Sequence, residues 1–261
     1  MSSTLPAHAS IREQAQASDY SARALAAIVQ IAGATDPQTL IGRLADATAA
    51  LGASASLYTA AVLEGDRDLS CFSLLAGHPA YAHAQNEIGP LTAHPWFRFA
   101  RTHLTSGSDR QVGIEEATDA AALQLARDYG FRAYFVVPTA SGQDLDRLGM
   151  LCVGSEHPDD FEGPEAGVVR TLARALAAEL HDWLMHYLHE RLVKTAKLEE
   201  TDMQLLALEQ RGLQSKEIAT LTGLSRASVD SRFQRINMRL HCSSRRASAL
   251  RAVAYGLLEP R

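Results

Sequence analysis

Short and polar side chains line one side of a basic helix near the carboxyl end of the chain. Between Ser225 and Leu240, that side carries Ala227, Ser231, Gln234, Arg235 and Met238. A DNA major groove admits one helix and needs short or polar side chains at the closest approach to the bases. Arginines at the edges of such a helix can reach phosphates as well as bases. The predicted contacts to double-stranded DNA are Arg226, Ser228, Asp230, Ser231, Arg232, Gln234, Arg235 and Arg239.

This helix is predicted to be the third of a helix-turn-helix. Ser225 has a side chain suited to cap its first turn, and Thr222–Leu224 form a tight turn before it. Its apolar residues recur at helical spacing and form one buried stripe: Val229, Phe233, Ile236 and Leu240. The alternative interpretation is a helical bundle with a solvated basic face.

Two further helices are predicted before the turn. Thr201 caps the first, Gln204 stands three residues on as in a capping box, and Gly212 ends the helix. Ser215 caps the second, which runs over Lys216–Leu221. The side chains expected to point inward from this second helix are Ile218, Ala219 and Leu221.

Charge divides the chain at the same place. The whole chain has 25 Lys/Arg and 30 Asp/Glu, a net charge of −5. Residues 198–261 hold ten basic and seven acidic residues, a net of +3, so residues 1–197 carry a net of −8. A local basic patch is enough to attract phosphates, and an acidic body limits non-specific binding to nucleic acid.

Residues 198–261 resemble the helix-turn-helix of LuxR-type transcription regulators. The matching pieces are Glu217-Ile218-Ala219, Gly223-Leu224-Ser225, Ser228-Val229, Leu240, Arg245 to Ala247 and Gly256-Leu257-Leu258. The resemblance implies an all-α, four-helix domain whose last helix covers Ser243–Tyr255. Asp230 departs from it, because many relatives have a basic or amide residue there. This carboxylate can accept a hydrogen bond from a cytosine amino group, or pair along the helix with Arg226 or Gln234.

Residues 1–187 have the pattern of an α+β domain. Strands are predicted over Ser54–Leu63, Leu69–Ala76, Phe131–Val137 and Leu148–Gly154. Turns are predicted at Glu64-Gly65-Asp66 and Ser141–Asp144. Helices are predicted over Ser21–Ile31, from Asp36-Pro37 to Gly52, in short pieces between Pro79 and His103, over Ile114–Tyr129 and from Pro164 to Lys194. Strands flanked by helices at both ends indicate one antiparallel sheet between helical layers, an αβα sandwich.

This body resembles the autoinducer-binding domain of the same regulators, a fold related to GAF and PAS sensor modules. The matching segments are Tyr129–Pro138, Leu148–Val153 and His94–Ala100. In receptors for acyl-homoserine lactones the last segment usually begins with Asp-Pro. The resemblance implies that this Asp holds the ligand amide, and that an upstream Trp and Tyr hold its carbonyls. Here His94 replaces the Asp, and Tyr81 and Gln85 fall at the Trp and Tyr positions.

Because of these replacements, the sequence is compatible with several kinds of ligand. A neutral histidine can accept or donate a hydrogen bond, and it can become charged near neutral pH. The pocket is expected to bind an acyl-homoserine lactone, another small molecule that is anionic or rich in acceptors, or nothing. Its candidate residues are Tyr58, Tyr81, Gln85, His94, Trp96 and Tyr134. Trp96 follows a proline, where an aromatic side chain usually belongs to a core.

A homodimer is predicted from the last helix of the body. Apolar residues follow three-and-four spacing at Val169, Leu172, Leu176, Leu180, Trp183 and Tyr187. The same stripe can pack on the sheet, and a helix of this length is expected to do both. A dimer would present two copies of the basic helix between Ser225 and Leu240 to half-sites about 10 base pairs apart, which favours an inverted-repeat operator.

Enzymatic chemistry is not predicted. The sequence has no glycine-rich phosphate loop, no paired-carboxylate constellation, no nucleophile motif and no cofactor motif. Cys71, Cys152 and Cys242 are far apart, which suggests a reducing cytoplasm and no metal site. His181, His186 and His189 share a helix without a completed ligand set. No apolar run has membrane-spanning length, and the first residues are too polar for a signal peptide.

The sequence therefore predicts a cytoplasmic, ligand-responsive transcription regulator of the quorum-sensing type. Its expected domains are a sensor and dimerisation domain over residues 1–187, a linker over 188–197 and a helix-turn-helix domain over 198–261. One alternative is a ligand-independent regulator or antagonist whose N-terminal domain only dimerises. Another is a soluble enzyme fused to a DNA-binding module.

Overall fold

The structure is a computed structural model that describes residues 9–63, 69–141 and 147–259. It divides into two compact units. The first comprises residues up to Ala60 with Cys71–Ala140 and Leu148–Trp183, and the second is mainly Leu184–Arg261 with the short pieces Ala61–Ser70 and Ser141–Arg147. The predicted turn Glu64-Gly65-Asp66 and residues 142–144 of the second predicted turn lie outside the described residues.

The first unit has an α+β fold with a five-stranded antiparallel sheet, as predicted. Its strands are β1 (Ala55–Leu63), β2 (Leu69–Ala76), β3 (Gly107–Ser108), β4 (Ala133–Ser141) and β5 (Arg147–Ser155), in the order β2-β1-β5-β4-β3. The helices are α1 (Ile11–Gln14), α2 (Tyr20–Ile28), α3 (Pro37–Ala50), α4 (Ala80–Ile88), α5 (Pro95–Thr102), α6 (Asp119–Asp128) and the long α7 (Gly167–Ala196), which belongs to the second unit from Leu184 onward. Short 3-10 turns lie at Ile31–Gly33, Leu91–Ala93 and Pro164–Ala166. The two-residue strand β3 was not predicted.

Different helices cover the two faces of the sheet. On one face, a Cβ built on Gly149 of β5 would come within 2.9 Å of the Tyr58 hydroxyl and 3.0 Å of His181 Nδ1 on α7. Only glycine fits this close approach. On the other face, Tyr134 of β4 contacts Trp96 of α5, with ring centroids 5.1 Å apart. The sheet thus separates a face against α7 from a face against α4, α5 and α6.

Local chemistry sets the start of α3 as predicted. Asp36 Oδ1 accepts the Thr39 backbone N–H at 3.0 Å, and Pro37 is the first helical residue. The prediction for α6 was wrong at its start. The helix begins at Asp119 rather than Ile114, because the carboxylate of Asp119 binds the backbone N–H groups of Glu115 and Glu116 in the preceding loop.

The second unit contains four helices after α7: α8 (Glu200–Gln210), α9 (Ser215–Thr222), α10 (Arg226–Arg239) and α11 (Arg245–Ala254). Ser225 caps α10 as predicted, since its Oγ accepts the Ser228 N–H at 3.1 Å. Gly212 and Gly223 follow α8 and α9 with φ values of 78° and 71°, the left-handed backbone that favours glycine.

Two predicted helix caps were wrong. Glu199 caps α8 in a reciprocal pair with Asp202, so Thr201 lies inside that helix. Gln214 caps α9 in a similar pair with Glu217, and Ser215 is the first helical residue. One predicted inward residue of α9, Leu221, is 59% exposed. Among the described residues, no helix is long and apolar enough to cross a membrane.

Candidate functional site

The helix α10 turns a polar side to solvent. Its predicted apolar stripe is buried, at Val229, Phe233, Ile236 and Leu240. The opposite side is exposed and carries Ala227, Ser231, Gln234, Arg235 and Met238. This exposed side of α10 has the short and polar character that an approach to base edges requires.

The arginines of α10 fall into two groups. Arg226 and Arg235 are exposed. Arg232 and Arg239 instead turn to Asp202 of α8, and each places Nη1 at 3.2 Å from one of its carboxylate oxygens. The Asp202 side chain is only 6% exposed. Arg232 and Arg239 therefore tie α10 to α8, a role that sequence reasoning did not foresee.

Asp230 contacts Ser215 of α9 and Arg226 of its own helix. Its Oδ1 accepts a hydrogen bond from Ser215 Oγ at 2.8 Å, and its Oδ2 lies 3.9 Å from Arg226 Nε. Ser215 Oγ accepts in turn from Arg245 Nη1 at 2.8 Å, and Arg245 Nε lies 3.0 Å from Glu209 Oε2. The pairing of Asp230 with Arg226, one of the two options that the sequence left open, is therefore present but long for an ion pair. The shorter contact with Ser215 fixes the carboxylate at the edge of the exposed side.

Five of the predicted ligand residues gather on the sheet face against α4 and α5. Tyr81 and Gln85 belong to α4, His94 caps α5, Trp96 lies in its first turn, and Tyr134 lies on β4. All five are buried. The ring of Trp96 contacts those of His94 and Tyr134, with centroids 4.3 Å and 5.1 Å away. We call these five residues, with Phe131, the aromatic pocket, after the ligand site that the sequence predicts for the five.

Phe131 completes this cluster and was missing from the predicted site. Its ring centroid lies 4.9 Å from that of Trp96 and 5.5 Å from that of Tyr81. It therefore links the α4 side of the pocket to the α5 side. Its place two residues before β4, in the segment with the family resemblance, was the available signal.

Tyr58 does not join the aromatic pocket. Its hydroxyl lies 3.0 Å from His181 Nδ1 on α7, next to Gly149. This contact is on the opposite face of the sheet from Trp96 and Tyr134. Tyr58 therefore belongs to the core between the sheet and α7.

Four buried polar atoms of the aromatic pocket have no hydrogen-bond partner among the described residues. They are the Tyr81 hydroxyl, Gln85 Oε1, His94 Nε2 and Trp96 Nε1. The four residues are at most 2% exposed. An unpaired buried polar group costs about 1–3 kcal/mol, so native proteins keep few of them. Tyr81, Gln85 and His94 stand at the positions where the sequence departs from acyl-homoserine-lactone receptors.

Burial also decides the charge of these groups. It lowers the pKa of His94 to about 3, so the ring is neutral at physiological pH. Burial raises the pKa of Tyr81 and of Tyr134, and the nearby Cys152 adds to both increases. The aromatic pocket is therefore uncharged, and an anionic ligand finds no cation on these residues.

Arg98 and Asp119 hold the pocket helices in place. Arg98 Nη1 donates to the Ala93 carbonyl at 2.6 Å, and Nη2 pairs with the Asp119 carboxylate. Asp119 Oδ2 also accepts the N–H groups of Glu115 and Glu116 at 2.7 Å and 2.9 Å. This pair joins the start of α6 to the segment that leads into α5.

The predicted dimer stripe on α7 is used largely inside the chain. Val169, Leu172, Leu176 and Leu180 are buried, and Trp183 Nε1 donates to the Ala34 carbonyl at 2.6 Å. The four buried residues therefore pack inside the chain and offer no surface to a second copy, while Trp183 is partly exposed. In the part of the chain that the structure describes, no group of three or more His, Cys, Asp or Glu residues could hold a metal ion.

The fold matches solved structures of transcription regulators. Escherichia coli SdiA superposes with a TM-score of 0.71 at 13% identity, over 92% of this chain and 100% of that chain. SdiA in complex with octanoyl-rac-glycerol gives 0.70 at 13% identity, over 93% and 98%. The N-acylhomoserine-lactone-dependent LuxR-family factor CepR2 from Burkholderia cenocepacia gives 0.51 at 17% identity, over 65% and 95%. Neither a protein-family model nor a curated protein sequence matches the chain. At these identities the structural matches establish the fold.

Proposed function

We propose that this protein is a DNA-binding transcription regulator of the LuxR quorum-sensing type. The observation that carries the proposal is the exposed side of α10, which is short, polar and flanked by the exposed Arg226 and Arg235. The likeness of both units to SdiA, over nearly its whole length, supports the same function. The proposed base and phosphate contacts are Arg226, Ser228, Ser231, Gln234 and Arg235. Asp230, fixed by Ser215, is the proposed contact to a base-edge donor.

Control by a small molecule is the second part of the proposal. The four unpaired polar atoms of the aromatic pocket support it. So do the neighbours, since SdiA has been solved with octanoyl-rac-glycerol and CepR2 depends on an N-acylhomoserine lactone. We place the sensor in residues 1–187 and the DNA-binding domain in residues 198–261. Residues 188–197 are a connection that is helical up to Ala196.

We also propose a homodimer on an inverted-repeat operator, because two copies of α10 would then reach two half-sites. With most of the α7 stripe buried inside one chain, the dimer must use other surfaces. The alternative, a regulator that needs no ligand, predicts full operator affinity in protein purified without any additive.

Ser231→Glu is expected to weaken binding to specific DNA at least about tenfold, because it puts a carboxylate where the helix comes closest to the DNA. The protein should first select its own site from a pool of random duplexes, and gel-shift titration then compares the variants. Gln204→Glu is the matched control. It adds the same charge at an exposed position of α8 and should leave affinity unchanged.

Arg235→Ala gives a second readout of the same surface. It should lower affinity and reduce the salt dependence of binding by about one unit if the arginine contacts a phosphate. If the wild-type protein enriches no sequence, or if Ser231→Glu binds as well as Gln204→Glu, the proposed function is wrong.

A further inference from the structure

The hydroxyl of Ser215 is not used by its own helix. Gln214 caps α9, so Ser215 does not have the capping role that the sequence predicts for it. Its Oγ instead lies 2.8 Å from Arg245 Nη1 of α11 and 2.8 Å from Asp230 Oδ1 of α10. A guanidinium only donates hydrogen bonds, and an ionised carboxylate only accepts them. The hydroxyl must therefore accept from Arg245 and donate its one proton to Asp230.

Arg245 is itself held by two other helices. Its Nε lies 3.0 Å from Glu209 Oε2 of α8, and its guanidinium carbon lies 5.8 Å from the ring centroid of Phe233 on α10. The Glu209 side chain is only 10% exposed, and Phe233 belongs to the buried stripe. A planar guanidinium fixed on two sides has little freedom to turn. We call Glu209, Arg245 and Ser215 the relay, because together they orient one hydroxyl proton towards Asp230.

The relay gives the two oxygens of Asp230 different roles. Oδ1 is occupied by the hydrogen bond from Ser215. Oδ2 lies 3.9 Å from Arg226 Nε, which is too long for a hydrogen bond. The Asp230 side chain is 51% exposed, and the nearby Arg226 offsets its charge against DNA phosphates. Oδ2 is thus the oxygen that is left to accept a hydrogen bond from DNA.

A group that accepts but cannot donate distinguishes the bases of the major groove. Cytosine presents an amino donor and no acceptor there, whereas guanine and thymine present acceptors only, and adenine presents one of each. A carboxylate oxygen attracts the cytosine amino group and repels guanine O6 and thymine O4. An oriented Oδ2 therefore favours cytosine by attraction and disfavours two other bases by repulsion.

We infer that the relay is a positioning element that makes Asp230 select cytosine at one base pair of each half-site. Ser215 and Arg245 act through Asp230 and contact no base themselves. The inference rests on the proposed function in placing α10 in the major groove. It goes beyond that function in naming the base and the residues behind α10 that set the choice.

Asp230→Asn tests whether the relay orients this side chain. With the relay intact, Ser215 donates to the side-chain oxygen of the variant, and the amide NH2 takes the place of Oδ2. Selection from random duplexes should then replace cytosine by guanine or thymine at that one position, with a preference of about tenfold or more. An amide that turns freely would choose adenine, to which it can donate and accept at once. Selection of adenine, or of cytosine as in the wild type, would overturn the inference.

Ser215→Ala and Ser215→Thr form a matched pair, since only the second keeps a hydroxyl. Ser215→Ala should lower the preference for cytosine about three- to tenfold, measured by gel shift on duplexes that differ at that position. Preferences at other positions and the salt dependence should stay unchanged, and Ser215→Thr should restore the wild-type preference. A loss spread evenly over all positions, or an equal loss in both variants, would mean that Ser215 only supports the fold.

The wild-type selection keeps this inference apart from the proposed function. If the wild type enriches no sequence, the DNA-binding regulator is refuted, and the relay with it. If it enriches a site whose bases are the same for Asp230→Asn, the regulator stands and the relay is refuted. Circular dichroism melting of the same preparations shows that each variant is folded during the comparison.

Discussion

Replacing Asp119 with alanine is expected to lower the free energy of unfolding of the first unit by about 3–5 kcal/mol. Asp119 is 1% exposed, and its partner Arg98 has a side chain only 11% exposed. The substitution leaves a buried guanidinium without its closest carboxylate. It also removes the acceptor of two backbone N–H groups, those of Glu115 and Glu116.

Urea unfolding followed by tryptophan fluorescence measures this effect directly. Both tryptophans, Trp96 and Trp183, lie in the first unit, so their signal reports on that unit. Glu115→Ala is the matched control, because it also removes a carboxylate close to Arg98. Glu115 Oε2 lies 3.6 Å from Arg98 Nε, but the Glu115 side chain is 72% exposed. Exposed pairs contribute up to about 1 kcal/mol. Equal losses in the two variants would show that the Arg98–Asp119 pair does not hold the fold.

The contribution of Asp119 should also depend on pH. Burial opposes ionisation of this carboxyl, but the hydrogen bonds from Glu116, Glu115 and Arg98 outweigh it and hold its pKa below the usual value. A lowered pKa in the folded state means that the stabilisation is complete above about pH 4 and is lost as the pH falls through the folded value. The difference between wild type and Asp119→Ala should therefore be full at pH 7 and shrink below pH 4.

Helix ends were predictable where one residue and its immediate neighbours decide them. Asp36 with Pro37, Ser225 and Gly212 all act within a single turn, and each prediction is confirmed. The caps of α8 and α9 were not predicted correctly. In both helices a longer side chain, Glu199 or Gln214, pairs with the third residue of the helix. Their sequence signal is weaker than that of the serine or threonine nearby.

The candidate site shows the same limit at longer range. The sequence does not assign Tyr58 to one face of the sheet, because β1 has no alternation to read. Residues 55–62 are all buried, so neither face stands out from the sequence. Arg232 was taken as a DNA contact, but its carboxylate partner Asp202 lies 30 residues away, on a different helix. Partners at that separation follow from the packing of α8 on α10, which periodicity alone does not specify.

Replacing Asp202 with alanine is expected to lower the free energy of unfolding of the second unit by about 2–4 kcal/mol. Its carboxylate accepts from Arg232 and Arg239 at 3.2 Å and from the Glu199 backbone N–H at 3.2 Å. Removing it opens the cap of α8 and leaves two arginines of α10 without their shared partner. Glu200→Ala, an exposed acidic position of the same turn, should change stability by less than about 0.5 kcal/mol.

Two spectroscopic signals can assign the loss to the correct unit. The second unit has no tryptophan, so in Asp202→Ala the circular dichroism transition of its helices should move while tryptophan fluorescence keeps the wild-type transition. Because Arg232 and Arg239 position α10 through Asp202, specific DNA affinity should fall in this variant even at temperatures where the unit is folded. Wild-type affinity in a folded Asp202→Ala protein would mean that α10 holds its place on α8 by the buried apolar stripe alone.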